Sequence, residues 1–564
     1  MAQNSDMDGG AQLGLFDGER RGVNVPAKRR QAGFNNPDPN NIFYLGTRLR
    51  EHLIASKMTW VFLVRDVLQG LSWEGFEQRY SLSGRAPYAP AAMMGLILYG
   101  VMQGKSSLRE LERLARLDLG AVWISGGIYP DHSCLGRFFH RHEEELKGEF
   151  FDELTAEIIR RLGSKAQTLA GDGTIVEAAS SRFQRIRRQA AQEMAEALEK
   201  KAQESSNDRE LRRKSERATE VHRMVEERAA VRKSRGDRVD TTMGSATEPE
   251  AAVLKDKRGR VAPAYIPSVI ATEDRLIVAH DVERTSEAAS VPKLLEQARK
   301  VAVYSPDSTF ILFDAGYNRG SVLKAGCEQD VNLLCSRGKP TSPQKAKRAF
   351  SKTDFKYLEC ADCYRCPAGK FLTLCGLRKD SRRDAAYYEY SSSRTDCRNC
   401  EKQDRCIPGK KEKRRRIKRY ESEIYLEAMA FVHKHPLAKT MLDKRKGIVE
   451  PVFADLRGIQ GLNRFRRYGL ANAKLEFAVH VCAHNFRRLI AVLGVRARAA
   501  AISLLSMFAW LRVGHLRRNR TLEVPEVARA QDLGNSQATN RLNSLRARLV
   551  RPPDFAEQPI PVPL

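Results

Sequence analysis

The spacing of apolar residues along this chain changes several times, and each change marks a new element. Residues 41–162 repeat at helical spacing, with Trp60, Trp73 and Trp123 as core candidates. Within them, Ser107-Leu108-Arg109-Glu110 has the spacing of a capping box ahead of a periodic segment. A short apolar run then predicts a strand over 166–172. Residues 182–238 differ in kind. They are highly charged, with Ile186, Ala190, Met194, Ala197 and Leu198 at helical spacing. Ser205-Ser206-Asn207-Asp208 breaks that stripe, and Leu211, Ala218, Val221, Met224 and Val225 resume it. The pattern predicts a helical hairpin inserted into a domain. A basic or dimerising arm and a plain solvated insertion fit it equally.

Two β-branched runs, 264–271 and 276–282, flank the short link Thr272-Glu273-Asp274-Arg275 and predict a hairpin. An amphipathic helix follows, carried by Val291, Leu294, Leu295, Ala298 and Val301. A strand ending at Phe313, a helix and a strand over 331–335 complete the series. The order strand, insert, strand, strand, helix, strand, helix, strand predicts a mixed α/β sheet covered by helices. Residues 346–432 form a Cys-rich, basic insert, and 433–497 return to helical periodicity with Phe465, Leu470, Leu475, Phe477, Val481, Phe486 and Leu489. The body of the sheet domain is thus expected from 163–345 and 433–497, with 1–40 and 517–564 as unstructured tails.

Charge narrows the class. The 564 residues include 97 Lys and Arg against 69 Asp and Glu, a net charge of +28. An excess of this size spread along the chain points to a polyanion partner, because neutralised phosphates release condensed counterions. Residues 1–36 have no apolar core, so no secretory signal is read there. The longest apolar stretch, 86–102, is interrupted by Pro87, Pro90 and Gly95 and falls short of the roughly 20 residues of a membrane span. It reads as the start of a buried helix, and no membrane partner is expected. No Gly-rich phosphate loop occurs, so no nucleotide cofactor is implied.

Three acids carry the candidate chemistry. Asp172 closes the first predicted strand in Gly171-Asp172-Gly173-Thr174. Asp314 follows Phe310-Ile311-Leu312-Phe313 and opens Asp314-Ala315-Gly316-Tyr317. Glu450 lies in the basic helical stretch Arg445-Lys446-Gly447-Ile448-Val449-Glu450. Taken singly, an aspartate after a strand is usually a cap or a turn residue. Clustered, three carboxylates repel and need a cation to stay ionised. Magnesium, hard and oxygen-seeking, suits such a set, and two such ions can drive phosphodiester chemistry.

With these contexts the sequence resembles the DDE transposases of bacterial insertion sequences, in particular the group with an N-terminal helical domain and a Cys-rich insert before the glutamate. Tyr88-Ala89-Pro90, Ser106-Ser107-Leu108-Arg109-Glu110-Leu111-Glu112, Pro130-Asp131-His132-Ser133 and His484-Asn485-Phe486-Arg487-Arg488-Leu489 extend the resemblance from about 41 to 495. It implies an RNase H-like mixed sheet with flanking helices, joined to an N-terminal all-helical DNA-binding domain. It implies Asp172, Asp314 and Glu450 as catalytic ligands of two Mg2+ (or Mn2+) ions. It also implies element-end and target DNA as partners, a homodimer in the synaptic complex, and a cytoplasmic, nucleoid-associated place. Many such enzymes carry Tyr, two residues, Arg, three residues, Glu, six residues, Lys. Here the corresponding positions are Asp443, Lys446, Glu450 and Arg457, so the Tyr is absent and the basic pair is exchanged. Lys446 and Arg457 are the expected DNA-phosphate contacts, with Arg445 a rival for the first position; a solvated helix face is the plain alternative.

The eleven cysteines, in a reducing compartment, favour metal over disulfides. Cys360-x2-Cys363-x2-Cys366 precedes Cys397-x2-Cys400-x5-Cys406. Two knuckles, Cys360/Cys363 and Cys397/Cys400, could supply a structural Zn2+ site. The separation, 397 − 363 = 34, is long for a ribbon, and unliganded thiols remain the alternative. His480-x3-His484 reads as a packing or phosphate-contacting pair rather than a metal pair.

Overall fold

The computed structural model describes residues 33–518, apart from 82–83, 206, 236, 257–258, 302–303, 339–349, 381–384 and 408–413. Most of the two expected tails lies outside the described residues. Two compact units result, 1–495 and 496–564; of the second, only the helix running to Arg518 is described.

The N-terminal part is helical, as its periodicity predicts. Its central helix, Pro90–Met102, starts on a proline and buries twelve of its residues, which is why the run is apolar on every side. No described helix is long and apolar enough to cross a membrane. The Leu108–Leu117 helix starts at the predicted capping box, with the Ser107 hydroxyl receiving Glu110 N–H and the Glu110 carboxylate receiving Ser107 N–H. Residues 35–39 are not tail-like. Asn35 pairs with the 87–89 segment through Asn35 N–H to Pro87 O at 2.8 Å and Ala89 N–H to Asn35 O at 3.2 Å.

The helix Glu149–Leu162 leads into the sheet. In chain order its five main strands are Thr168–Gly173, Val261–Thr272, Ile277–Glu283, Phe310–Phe313 and Asn332–Cys335. In space they run third, second, first, fourth, fifth. The first is antiparallel to the second and parallel to the fourth; the fifth is parallel to the fourth. This is the mixed α/β arrangement of an RNase H-like domain. The two short strands Val176–Glu177 and Ala252–Lys255 pair with the first half of Val261–Thr272. That 12-residue strand is buried from Ala262 onward, because helices, Val291–Val301 and Pro436–Ala454 among them, pack against it.

The charged insert is a pair of helices, Arg188–Glu204 and Arg209–Arg235, broken where predicted. Ala191, Val221 and Val225 form its small core, with Ile186 and Met194 against it. The Cys-rich insert folds as an antiparallel meander of five strands, Lys356–Leu358, Cys363–Arg365, Phe371–Asp380, Ala385–Ser392 and Arg416–Tyr420. Among the described residues, its buried core is Phe355, Tyr364, Leu372, Tyr390 and Ile417, with Phe350 and Tyr357 against it.

Candidate active site

Asp172 sits in the last turn of the pleat of the first strand. Register pairs Leu312 with Ala170 on neighbouring parallel strands; carried two residues further, just past the strand end at Phe313, it sets Asp314 near Asp172, on which its charge acts. Adjacent strands lie about 4.8 Å apart, which places two carboxylates at one end of the sheet. The glycines around Asp172 have a steric cause. A Cβ at Gly171 would lie 2.1 Å from Cε1 of Phe313, and one at Gly173 would lie 2.8 Å from Cγ of Glu287. Only glycine allows the Phe313 ring to cross the strand there, and that ring carries the residue before Asp314.

Both carboxylates are partly held by backbone. Asp172 Oδ1 accepts Gly173 N–H at 2.9 Å, and Asp314 Oδ1 accepts Gly316 N–H at 2.7 Å, capping the turn Ala315–Tyr317. Burial pushes the Asp172 carboxyl above its ordinary range; Arg445 opposes the shift and the Asp314 charge adds to it. Arg445 Nη1 is 3.2 Å from Asp172 Oδ2, and both side chains are well buried, 11% and 17% exposed.

Glu450 and its basic neighbours lie on the helix Pro436–Ala454, which packs across the first, second and fourth strands. Ile448, Val449 and Val452 face the core, leaving Glu450 and Lys446 exposed. These two are four residues apart and share a face. Neither has an ion pair among the described residues. Pro451 follows Glu450 inside the helix. Having no N–H, it releases the carbonyl of Gly447, four residues earlier, and Arg275 Nε takes that carbonyl at 3.2 Å. A π-turn, Asp455–Ile459, comes next. Asp455 accepts from His484 Nδ1 at 2.8 Å and Arg487 Nε at 3.0 Å, while His484 Nε2 reaches Arg275 O at 2.9 Å. His484 thus ties the hairpin turn to the glutamate helix, and His480 is buried against Gln460. Both are packing residues.

The sequence candidates therefore separate. Asp172 and Asp314 stand together, and Arg445 is engaged with Asp172 rather than pointing at solvent. Arg457 donates to Thr174 Oγ1 and Ile175 O, bracing the turn after Asp172. Glu450 is carried to the same sheet but not joined to the pair: among the described residues, no group of three or more His, Cys, Asp and Glu is placed to hold a metal ion. The aspartate pair fits a hard cation by donor type, and its positive partner here is a guanidinium. Glu287, beside Gly173, drew no attention in the sequence because it opens a 3-10 helix, Glu287–Ala289, too short to show any periodicity.

The cysteines also regroup. Cys360 is exposed and Cys363 is buried in its strand. Cys366, not Cys360 or Cys363, lines a cavity with Cys397, Cys400 and Cys406.

Two family models match the chain. One, described as a transposase DDE domain, covers residues 365–490; the other, described as a transposase domain, covers 55–141. The first includes Glu450 and its basic neighbours but neither aspartate. No curated protein matches. The resemblance to DDE transposases of insertion sequences thus stands on two matched regions as well as on the motifs.

Proposed function

We propose that the chain is a DDE-type DNA transposase that hydrolyses a phosphodiester at an element end and transfers the freed strand into target DNA. The observation that carries this reading is the register of Asp172 and Asp314 at the ends of adjacent parallel strands, with the Glu450 helix packed across them. Water attacks phosphorus and the P–O3′ bond breaks, leaving a 3′-hydroxyl. That hydroxyl then attacks a target phosphodiester, forming one new bond and expelling the target's own 3′-oxygen. Magnesium or manganese, held by Asp172 and Asp314 with Glu450 as the further oxygen ligand, would activate the attacking oxygen and neutralise charge on the leaving one.

The chain's own residues do the rest. Gly171 and Phe313 fix the spacing of the two aspartates. Arg457 steadies the turn that follows Asp172. Lys446, exposed on the same helix face as Glu450, is the phosphate contact best placed to follow DNA. The N-terminal helical domain, together with the basic surfaces elsewhere on the chain, would bind the element end, and two copies would hold two ends together.

The test uses purified full-length protein, the DNA flanking its own reading frame and magnesium. Cleavage at the element end and joining of a pre-cut 3′-hydroxyl end are expected, both lost in Asp172→Asn, Asp314→Asn and Glu450→Gln. Cleavage without joining would leave a nuclease instead. Unchanged cleavage in all three variants would remove the active-site assignment.

A further inference from the structure

We propose that the charged insert and the sheet enclose a phosphate-binding pocket, in which Arg228, Arg232 and Arg284 hold a backbone phosphodiester of the DNA strand that reaches the aspartate pair. The inference rests on the reading that this chain works on DNA. The pocket is a cavity of about 420 Å3. Its walls come from the helix Arg209–Arg235, the strands Met243–Ser245 and Ala252–Lys255, and the residues just after Ile277–Glu283.

The insert is built onto the sheet here. A Cβ at Gly244 would lie 2.5 Å from Cγ2 of Val225, so strand and helix touch. Arg228 Nη2 donates to the carbonyls of Pro249 and Glu250, each at 3.0 Å, and anchors the helix to the segment before Ala252–Lys255. Arg232 Nη2 donates to Thr241 Oγ1 at 3.0 Å. Other polar atoms are left over. Arg228 Nη1, Arg232 Nε and the Thr242 hydroxyl are buried with no hydrogen-bond partner among the described residues. Thr242 is only 2% exposed. Arg284 Nη1 meets the Met224 thioether at 3.5 Å, a weak acceptor. Buried donors are costly to leave unmatched, and an anion with several oxygens would match them.

The charge is one-sided too. Three guanidiniums line the cavity against one carboxylate, Glu227, which is 54% exposed and lies 3.8 Å from Arg223 Nη1. Glu220 acts on Arg284 from the same helix. Burial and the Arg284 charge both lower the Arg228 pKa, against Glu227 and Tyr265. An anion between these two cations would relieve their repulsion. Met224, Met243, Val253 and Leu254 form an apolar wall. The cavity is larger than a phosphate needs, and that wall suits the deoxyribose attached to one. Val231 and Val261, 46% and 37% exposed, mark the opening to solvent.

Position points to the strand at the aspartates. Three residues after Arg284, Glu287 packs on the glycine that follows Asp172: a Cβ at Gly173 would lie 2.8 Å from Glu287 Cγ. Three residues span at most about 10 Å. A phosphate held here is thus near enough to share a strand with the one at Asp172 and Asp314. Contacts of this kind set the register of DNA without reading its sequence.

The experiment measures binding of the full chain to a fluorescent duplex cut from the DNA flanking its reading frame. Salt is varied and divalent metal is left out, so that no cutting intervenes. Arg232→Gln and Arg284→Gln should each lower the slope of log affinity against log salt by about 1, the loss of one phosphate contact. Lys233→Gln removes the same charge from an exposed position on the same helix and should leave the slope as it was. Should the arginine variants misfold, the parent chain decides: DNA should shield Arg232 and Arg284 from a dicarbonyl reagent that modifies guanidinium groups. Unchanged slopes, an equal fall with Lys233→Gln, or unshielded arginines would overturn the pocket. Inorganic phosphate that raises the melting temperature of the parent and not of the variants, with DNA slopes unchanged, would make it a small-anion site and overturn its assignment to DNA. A parent chain that binds no DNA would sink the pocket and the DNA reading together. Binding that stays intact while cleavage is absent would remove the catalytic assignment alone.

Discussion

Arg445 Nη1 rests 3.2 Å from Asp172 Oδ2, joining a helix to a strand across 273 residues of sequence. This guanidinium holds down a carboxyl that burial and Asp314 both push up. A raised folded pKa means that Asp172 is protonated to a higher pH than a free aspartate, and a protonated carboxyl is a poor cation ligand. In Arg445→Gln the opposing charge is gone, so the acid limb of the cleavage pH profile should move to higher pH. A limb that stays in place, or moves down, would show that Arg445 does not control this ionisation.

Gly171 and Phe313 offer a packing test. Gly171→Ala puts a methyl into the Phe313 ring, and overpacking of this kind costs roughly 1–3 kcal/mol. Cleavage should fall with it, because the ring precedes Asp314. Phe313→Leu should recover part of the loss, giving a coupling of about 1 kcal/mol in a double-mutant cycle read by denaturant unfolding. Additive effects would argue against the contact.

Glu476 gives a pH-dependent stability. It accepts Arg466 and Arg467 N–H, yet burial pushes its carboxyl up to about 7 from an ordinary 4.5. The folded state therefore holds a proton that the unfolded state releases between those values. Stability falls as pH rises through this window, and the loss is complete above it. Glu476→Gln has no such loss. Relative to the parent it should gain up to about 3 kcal/mol between pH 4.5 and pH 8 in denaturant titrations. A pH-independent difference would contradict the shift.

Pro451 stands in a helix interior, where proline is about 3 kcal/mol worse than alanine. Arg275 recovers some of this by taking the Gly447 carbonyl. Pro451→Ala should therefore stabilise the protein by about 1–2 kcal/mol, less than the full propensity difference, and raise the melting temperature. Arg275→Ala should be costly in the parent and less so beside Pro451→Ala.

Much of the sheet was legible because its signals are local. The hairpin around 272–275, the helix from Val291 and the break at 205–208 each rest on a few consecutive residues. The Ser107–Glu110 cap was legible for the same reason. The five-strand meander was not, since its strands bury few residues in regular alternation: Phe371–Asp380 is exposed at most of its positions. Arg445 read as a surface residue because a basic helix face hides one buried member. Spacing alone grouped the cysteines as two knuckles, whereas in space Cys366 shares a cavity with Cys397, Cys400 and Cys406. The three acids were singled out by context, but how near Glu450 comes to the aspartates depends on helix placement that no local pattern encodes.

The long strand Val261–Thr272 has one further consequence. It sets Asp172 opposite Val269 while Ile277–Glu283 locks its far edge. Side chains alternate faces along a strand, so a slip of one residue would turn the carboxylate away and present a bare glycine in its stead. Flanked by Gly171 and Gly173, the position tolerates no near miss: misaligned molecules would be inert rather than altered. Clamping that strand on both sides therefore fixes the one alignment in which this acid faces its neighbour.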